Sequence, residues 1–542
     1  MNKFKKFLCI GLTSLLAFSS VACTGTGDGS SKESEKESVI ASEESSESRT
    51  ESRPQSESRP QSESRTESES ASSSEVESES TIVNPTKTGT VELAVLEAGF
   101  GREPYIALAN AYMAKYPNVQ VKLRFDYEIN SNVENQVNNN VNVADVYSVR
   151  DLTQIVNFGL NGKAMDLSTV LDEPFGEEYV EAEMPVRANL DATAVEACSL
   201  NGKTYCFPEY TSVTGIVYNA SLFEQYGWQI PNTTKELEDL CKQILADTEG
   251  TVNPFVYCGA AADGYLYFAV DNWLNQYAGI ENLDTFYAYG SADLFAPNSV
   301  ISTGKKLAHE NLVKFLSDRS KGGYARNGSM QIDHHQAQGE IVSGKSAMML
   351  NGSWFENEMA AVLSAPENAG LKIGMFPLPE MAKENGEVLH ADGYLTERGK
   401  RVLDASYGAY YFIPTAAKNK ELAIDLLKFI NSDEGSAIYT RYTNAIRPVI
   451  YNLDPNSEDY ADASFFGKSV IKMADESYLY SAFSTSPLAI DGVISLYPKG
   501  SYWCKLVLQD PNINNPAAKI QEDYEYVRGN WTYWEEKYGL GD

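Results

Sequence analysis

Residues 201–236, NGKTYCFPEYTSVTGIVYNASLFEQYGWQIPNTTKE, set the reading of the whole chain. Asn201-Gly202, between two apolar runs, is a two-residue hairpin signal, because that turn needs a positive φ at both positions. Val213–Tyr218 is β-rich with Gly215 inside it, which places other backbone close by. Ser221–Tyr226 predicts a short helix stopped by Gly227. Pro231 then leads into Thr233-x-x-Glu236, a capping box that opens the next helix.

Toward the amino end, Lys3, Lys5 and Lys6 precede an apolar stretch from Phe7 to Phe18, too short to span a membrane comfortably. Ser20-Val21-Ala22-Cys23 resembles a bacterial lipobox, with Ser20 where Leu is usual. That resemblance implies an export signal over residues 1–22 and lipidation of Cys23. Thr24 to Thr88 is rich in Ser and Glu and carries a near-repeat, TESRPQ at 50–55, SESRPQ at 56–61 and SESR at 62–65. High charge and few large apolar side chains predict disorder over 23–88. Such a tether reaches roughly 200 Å fully extended and about 50 Å as a coil average. That suits a lipoprotein beneath a thick wall, and equally a plain solubilising spacer. No other uninterrupted apolar run of roughly 18 residues exists.

Residues 89–542 exceed what one hydrophobic core can serve, so two lobes are expected. The chain carries a formal net charge of −31. That argues against nucleic acid or an anionic membrane surface as partner and suits a neutral or cationic ligand. Seven cysteines occur. Beyond Cys9 and Cys23, they leave Cys198, Cys206, Cys241, Cys258 and Cys504, an odd number for a disulfide framework. Across a two-residue turn Cys198 pairs with Tyr205 and Cys206 with Ala197, so strand alternation aims the two thiols at opposite faces. Reduced, structural cysteines are expected, and no zinc spacing appears.

Val91–Leu96 reads as a buried strand. A helix runs from Pro104 to before Pro117, with Tyr105, Leu108, Ala109, Tyr112 and Tyr116 on one face. Val119–Phe125 alternates as a second strand, and Ala144–Tyr147 reads as the end of a third after an Asn-rich helix. Strand–helix–strand order predicts a mostly parallel α/β sheet. Gly339–Gly344 reads as a helix end with a glycine stop, Ser346–Leu350 as a strand, and Gly352 and Trp354 as the start of a loop or helix. Ala423, Leu426, Leu427 and Ile430 form a buried helix face, with Asn419 as candidate N-cap.

Three segments together carry a family resemblance. The first is Gly202, Lys203, Tyr205, Pro208, Tyr218, Asn219, Leu222, Phe223, Gly227, Pro231, Thr233 and Glu236, with Thr234 where Trp is frequent. The second is Gly344, Ala347, Met348, Gly352 and Trp354; the third is the helix after Asn419. In order and spacing they resemble the family 1 extracellular solute-binding proteins, carbohydrate-capturing partners of ABC importers. The resemblance implies an α/β, two-lobe, periplasmic-binding-protein-like fold of the maltose-binding-protein type, with a multi-segment hinge. The lobes are expected as 89–210 with 409–452, and 211–408 with 453–542. The chain should cross near 208–214, 405–412 and 447–456. The implied activity is capture of a saccharide, in particular an oligosaccharide, and its delivery to ABC permease subunits by a monomer on the outer face of a Gram-positive-type cell membrane. It implies neither catalysis nor a cofactor or metal. A surface polysaccharide-acting enzyme, and a sensory or adhesive lipoprotein, remain the alternatives.

A sugar offers apolar C–H faces to aromatic rings and hydroxyl edges to Asp, Asn, Glu and Arg. The resemblance makes Trp354 the first stacking candidate, with Trp273 on a helix bordering the cleft. Tyr265 and Tyr267 open that helix. Asp145 and Arg150 are assigned to a strand's carboxyl end, where open α/β sheets bind ligands. Glu209 and Tyr210 lie where the chain first crosses, Glu97 and Arg102 follow the first strand around Gly99 and Gly101, and Asp392 and Tyr407 lie near the returning crossover. Each has a second reading as packing, cap or surface. The four histidines form no H-E-x-x-H, and adjacent His334 and His335 are expected to point apart.

Overall fold

The computed structural model describes residues 87–97, 100–176, 179, 184–260, 264–394, 400–482, 484, 486–490, 492–499 and 503–540. Cys23, the signal-like segment, the tether up to residue 86 and Gly99 lie outside them. No helix among the described residues is long and apolar enough to cross a membrane.

Eleven strands organise the fold: β1 Gly89–Leu96, β2 Val119–Asp126, β3 Val146–Val149, β4 Ser199–Leu200, β5 Lys203–Thr204, β6 Phe207–Asn219, β7 Asn253–Val256, β8 Ser346–Gly352, β9 Ile373–Phe376, β10 Arg401–Phe412 and β11 Ser477–Ser481. The main sheet runs β2-β1-β3-β10-β6-β8-β7, with β11 on β10 and β9 on β6. β1, β2 and β3 are mutually parallel, as are β7 and β8.

Strand alternation sorts side chains into separate cores on the two faces. In the first lobe Val91, Leu93 and Val95 join Leu108, Tyr112, Leu426 and Ile430 on one face, while Ala94, Tyr147 and Phe412 join Val133 and Ile155 on the other. In the second, Ile216, Tyr218 and Met348 pack with Trp273 and Phe315, whereas Val213, Val217 and Met349 pack with Trp354 and Phe355. The carboxy-terminal helix Pro516–Tyr538 docks Val527, Trp531 and Trp534 against Leu283, Phe286 and Phe295. Buried Lys305 binds the same segment, reaching Asp523 Oδ2 at 3.1 Å and the Leu496 carbonyl at 2.8 Å.

β6 and β10 are long because each serves both lobes. Phe207 to Val213 pairs with β10, and Thr214 to Asn219 with β8 and β9. Arg401–Ala405 of β10 pairs with β11, and Tyr410–Phe412 with β3. The β6–β10 register shifts around Gly408. A Cβ there would lie 2.0 Å from the Tyr210 ring, so the bulge requires glycine. A third segment crosses at Ile446, which exchanges backbone hydrogen bonds with Thr211 at 2.6 and 3.3 Å. All three segments meet in one buried cluster. Glu209, fully buried, accepts from Tyr105 at 2.5 Å, from Tyr439 at 3.0 Å and from Ser148. The Arg447 guanidinium lies 5.8 Å from the Tyr411 ring and 5.1 Å from the Tyr439 ring, and donates to Asn431 Oδ1 at 2.7 Å.

Asn201 and Gly202 adopt φ 53° and 74°, the two positive values the predicted hairpin turn needs. A Cβ on Gly215 would come 2.6 Å from the Phe376 carbonyl of β9, the close backbone approach expected there. Other expectations are corrected. β3 runs Val146–Val149, so Ala144–Tyr147, expected to end a strand, instead begins it. Thr233 caps Glu236 N, but the Glu236 carboxylate reaches Asn232 N rather than closing the box. Asn419 stands at its N-cap, yet its side chain donates to the Thr90 carbonyl. Cys198 and Cys206 do not face apart. Cys198 ends the helix Ala192–Ala197 with φ −89° and ψ 4°, so strand alternation does not govern it. Both thiols fall in one core as near neighbours.

Candidate functional site

Strand direction places the site. β3 runs antiparallel to β10 and brings Val149 beside Tyr410, so the carboxyl ends of β1, β2 and β3 point toward the hinge. β8 runs antiparallel to β6 and ends with Gly352 opposite Thr214, so the carboxyl ends of β7 and β8 point back to the same line. Ligands bind outside such ends, and here two sets of them face each other across the hinge.

On the first rim, Glu97 accepts from Arg102 Nε at 2.6 Å and Nη2 at 2.7 Å, and from the Tyr127 hydroxyl at 2.9 Å. The Arg102 hydrogen bonds hold the Glu97 carboxyl below its ordinary pKa. The Arg102 guanidinium lies 5.0 Å over the Phe125 ring. Tyr127 is 72% exposed, an aromatic face turned to solvent beside fixed polar groups. Arg150 follows β3 and lies near the Tyr210 hydroxyl; burial pushes that hydroxyl's pKa up and the Arg150 charge opposes it. Tyr210 meets Phe100 edge-on at 4.9 Å and stacks on Tyr439 at 6.4 Å.

On the second rim, Trp354 lies over Gly352, where a Cβ would fall 2.2 Å from the indole. It meets Phe268 edge-on at 5.7 Å and lies beside the buried Tyr265. Phe100 packs against the cores of both lobes. Two polar contacts also bridge the lobes: Asn357 Nδ2 to the Tyr442 carbonyl at 3.1 Å, and Asn444 Nδ2 to Glu356 at 2.8 Å.

The structure therefore gathers Glu97, Arg102, Arg150, Tyr210 and Trp354 at the facing rims, with Tyr265, 2% exposed, buried behind Trp354. It sets six other candidates elsewhere. Asp145 stands at the amino end of β3, not its carboxyl end, and accepts from the backbone N–H groups of Glu92, Lys418 and Asn419 at 2.8–3.0 Å. Glu209 is enclosed beneath the crossings. Trp273 is 2% exposed and donates to the Pro379 carbonyl at 2.9 Å, roughly 13 Å along its helix from Gly264. Tyr267 turns to the carboxy-terminal segment, accepting from Cys504 N at 3.4 Å. Asp392 lies at the far end of that helix, next to Ala391 on the Tyr277 carbonyl. Tyr407 donates to the helix cap Asp191 at 3.2 Å.

Phe100 and Tyr127 are rim residues that the sequence reading passed over. Tyr127 follows the carboxyl end of β2, so the rule that selected Glu97 and Arg150 selects it too. His334 and His335, expected to point apart, bring their rings to 4.1 Å. Among the described residues no three His, Cys, Asp or Glu side chains are grouped to hold a metal.

Two α/β lobes with facing strand ends, joined by three crossing segments, define a two-lobe binding protein. The chain belongs to the bacterial extracellular solute-binding protein family, whose model matches residues 101–437. It is 24% identical over 251 residues to a multiple sugar-binding protein of Streptococcus mutans, a match covering 44% of this chain and 55% of that one. The chain thus spans about half the length of that curated relative. Among solved structures, the unliganded RafE protein of Streptococcus pneumoniae superposes with a TM-score of 0.55 at 16% identity, covering 82% of this chain and 99% of its own. The GacH receptor of Streptomyces glaucescens, solved unliganded and with acarbose, gives 0.54 at 17%, covering 81% and 98%. These likenesses establish the maltose-binding-protein-like fold.

Proposed function

We propose that the protein captures a carbohydrate between its lobes and hands it to an ABC importer, without itself making or breaking bonds. The pairing of an aromatic face with fixed polar edges at opposed strand ends carries this reading: Tyr127, Glu97, Arg102 and Arg150 on one rim, and Trp354, backed by Tyr265, on the other. A sugar ring stacks on Trp354 while its hydroxyls accept from the arginines and donate to Glu97. Contacts to both rims favour the closed arrangement, and β6, β10 and the Ile446 segment bend as the hinge. The sugar-binding relative and the raffinose complex of RafE support a sugar, and an oligosaccharide among sugars. Lipidation at Cys23 and the Ser/Glu-rich tether keep the monomer on the outer face of the membrane, within reach of the permease.

Titration calorimetry of the chain against mono- and oligosaccharides, peptides and divalent cations tests this. The expected result is micromolar or tighter binding of at least one oligosaccharide, with no product on chromatography. Binding of peptide or metal and of no sugar overturns the assignment.

A further inference from the structure

The hairpin that leads into the hinge holds a cysteine pair. β4 and β5 pair Ser199 with Thr204 and Leu200 with Lys203, and Tyr205 N donates to the Cys198 carbonyl at 3.2 Å. The two strands close on each other at this end. Cys198 and Cys206 are both 0% exposed in one core with Tyr205, Tyr410 and Phe412. Both are free thiols in that shared core, and they are near neighbours because the helical backbone at Cys198 takes its side chain out of the strand alternation that would send it to the opposite face. Cys241 and Cys258 lie in the other lobe, in different cores, and Cys504 contacts His309 there. Cys206 immediately precedes Phe207, the first residue of the first crossing.

We propose that Cys198 and Cys206 are a thiol pair that oxidises to an intramolecular disulfide, fixing the chain at the root of the hinge. The bond closes a ring of nine residues. One thiolate attacks a sulfur of an external disulfide, small-molecule or protein, and releases one thiol. The second cysteine then attacks the mixed disulfide, forming the Cys198–Cys206 bond and releasing the other. The donor disulfide takes up two electrons and two protons and becomes two thiols. In the folded chain, burial and the neighbouring thiol push the Cys198 pKa well up and hold it as a thiol. The bond therefore forms while the hairpin is still open, in the oxidising surroundings that an extracellular chain meets as it folds, and the closed core then shields it. The inference is independent of the sugar reading and is tested without ligand.

The full-length chain is refolded in a buffer of oxidised and reduced glutathione, denatured in iodoacetamide without reductant, digested and mapped by mass spectrometry. The expected map shows Cys241, Cys258 and Cys504 alkylated, and the Cys198 and Cys206 peptides joined with the loss of two hydrogens. Prior reduction separates and labels them. The oxidised chain also melts roughly 5 °C above the reduced one. Alkylated Cys198 and Cys206 without reductant, or either cysteine joined to a different partner, overturns the proposal.

Discussion

Gly408→Ala isolates the hinge bulge. The added Cβ falls 2.0 Å from Tyr210 Cε2, 2.3 Å from Cζ and 2.5 Å from the hydroxyl oxygen. The ring has little freedom to yield, with Phe100 4.9 Å away on one side and Tyr439 6.4 Å away on the other. Overpacking of this kind costs about 1–3 kcal/mol. Alanine also narrows the unfolded ensemble, which offsets about 0.4–1 kcal/mol. The clash is the larger effect, and a net loss of about 1 kcal/mol is expected. In a Tyr210→Ala background the obstructing ring is gone and only the unfolded-state gain of about 0.4–1 kcal/mol remains, so the coupling energy is the clash itself, about 2 kcal/mol. Urea denaturation of the parent, both single variants and the double variant measures that coupling. Additive losses would refute the reasoning, because they would mean that the bulge does not depend on the Tyr210 ring. Ligand affinity supplies a second readout: displacing Tyr210 disturbs the neighbouring Arg150, so Gly408→Ala weakens binding by more than its stability loss at saturation explains.

Asp145→Ala leaves three backbone N–H groups without their acceptor and destabilises the chain by about 3 kcal/mol in urea, with ligand affinity unchanged. Trp354→Ala raises the sugar Kd roughly 30-fold, about 2 kcal/mol, in calorimetry, whereas Trp273→Ala costs about 3–5 kcal/mol of stability. Burial pushes the Asp404 carboxyl up to about 7, next to Asp271, whose carboxyl burial and Asp404 also raise. The unfolded chain releases that proton near pH 4. Between roughly pH 4 and 7 the native state holds the extra proton, so this group's stabilisation is lost as pH rises through that window. Asp404→Asn flattens that part of the stability–pH profile and exceeds the parent by about 2 kcal/mol above pH 7, measured by urea titration across pH.

Local periodicity and turn chemistry carried much of the fold. Asn201-Gly202 needed only its own φ preferences to announce the hairpin, and Ala423, Leu426, Leu427 and Ile430 announced a helix face that is buried. Gly215 marked a real backbone approach. What failed depended on neighbours distant in sequence. Asp145 looked like a ligand residue until the amides of Lys418 and Asn419, more than 270 positions away, came to its carboxylate. Trp273 shares a helix with Tyr265 and Phe268, and only the angle around that helix and the distance along it take it away from the rim. Cys198 was read with strand alternation, but the helix ending on it sets a different direction. The rim itself was half legible: the rule of strand carboxyl ends yields Glu97, Arg150 and Tyr127, while Phe100 is defined only by the meeting of two lobes.

A crystal structure of the chain with its tightest-binding oligosaccharide tests the central claim most directly. The account predicts a sugar ring against the Trp354 face, with hydroxyls on Arg102, Arg150 or Glu97 from the opposite rim, and lobes closed about the β6–β10 bulge. A saccharide seated on one lobe alone, away from Trp354, with the hinge unmoved, would contradict it.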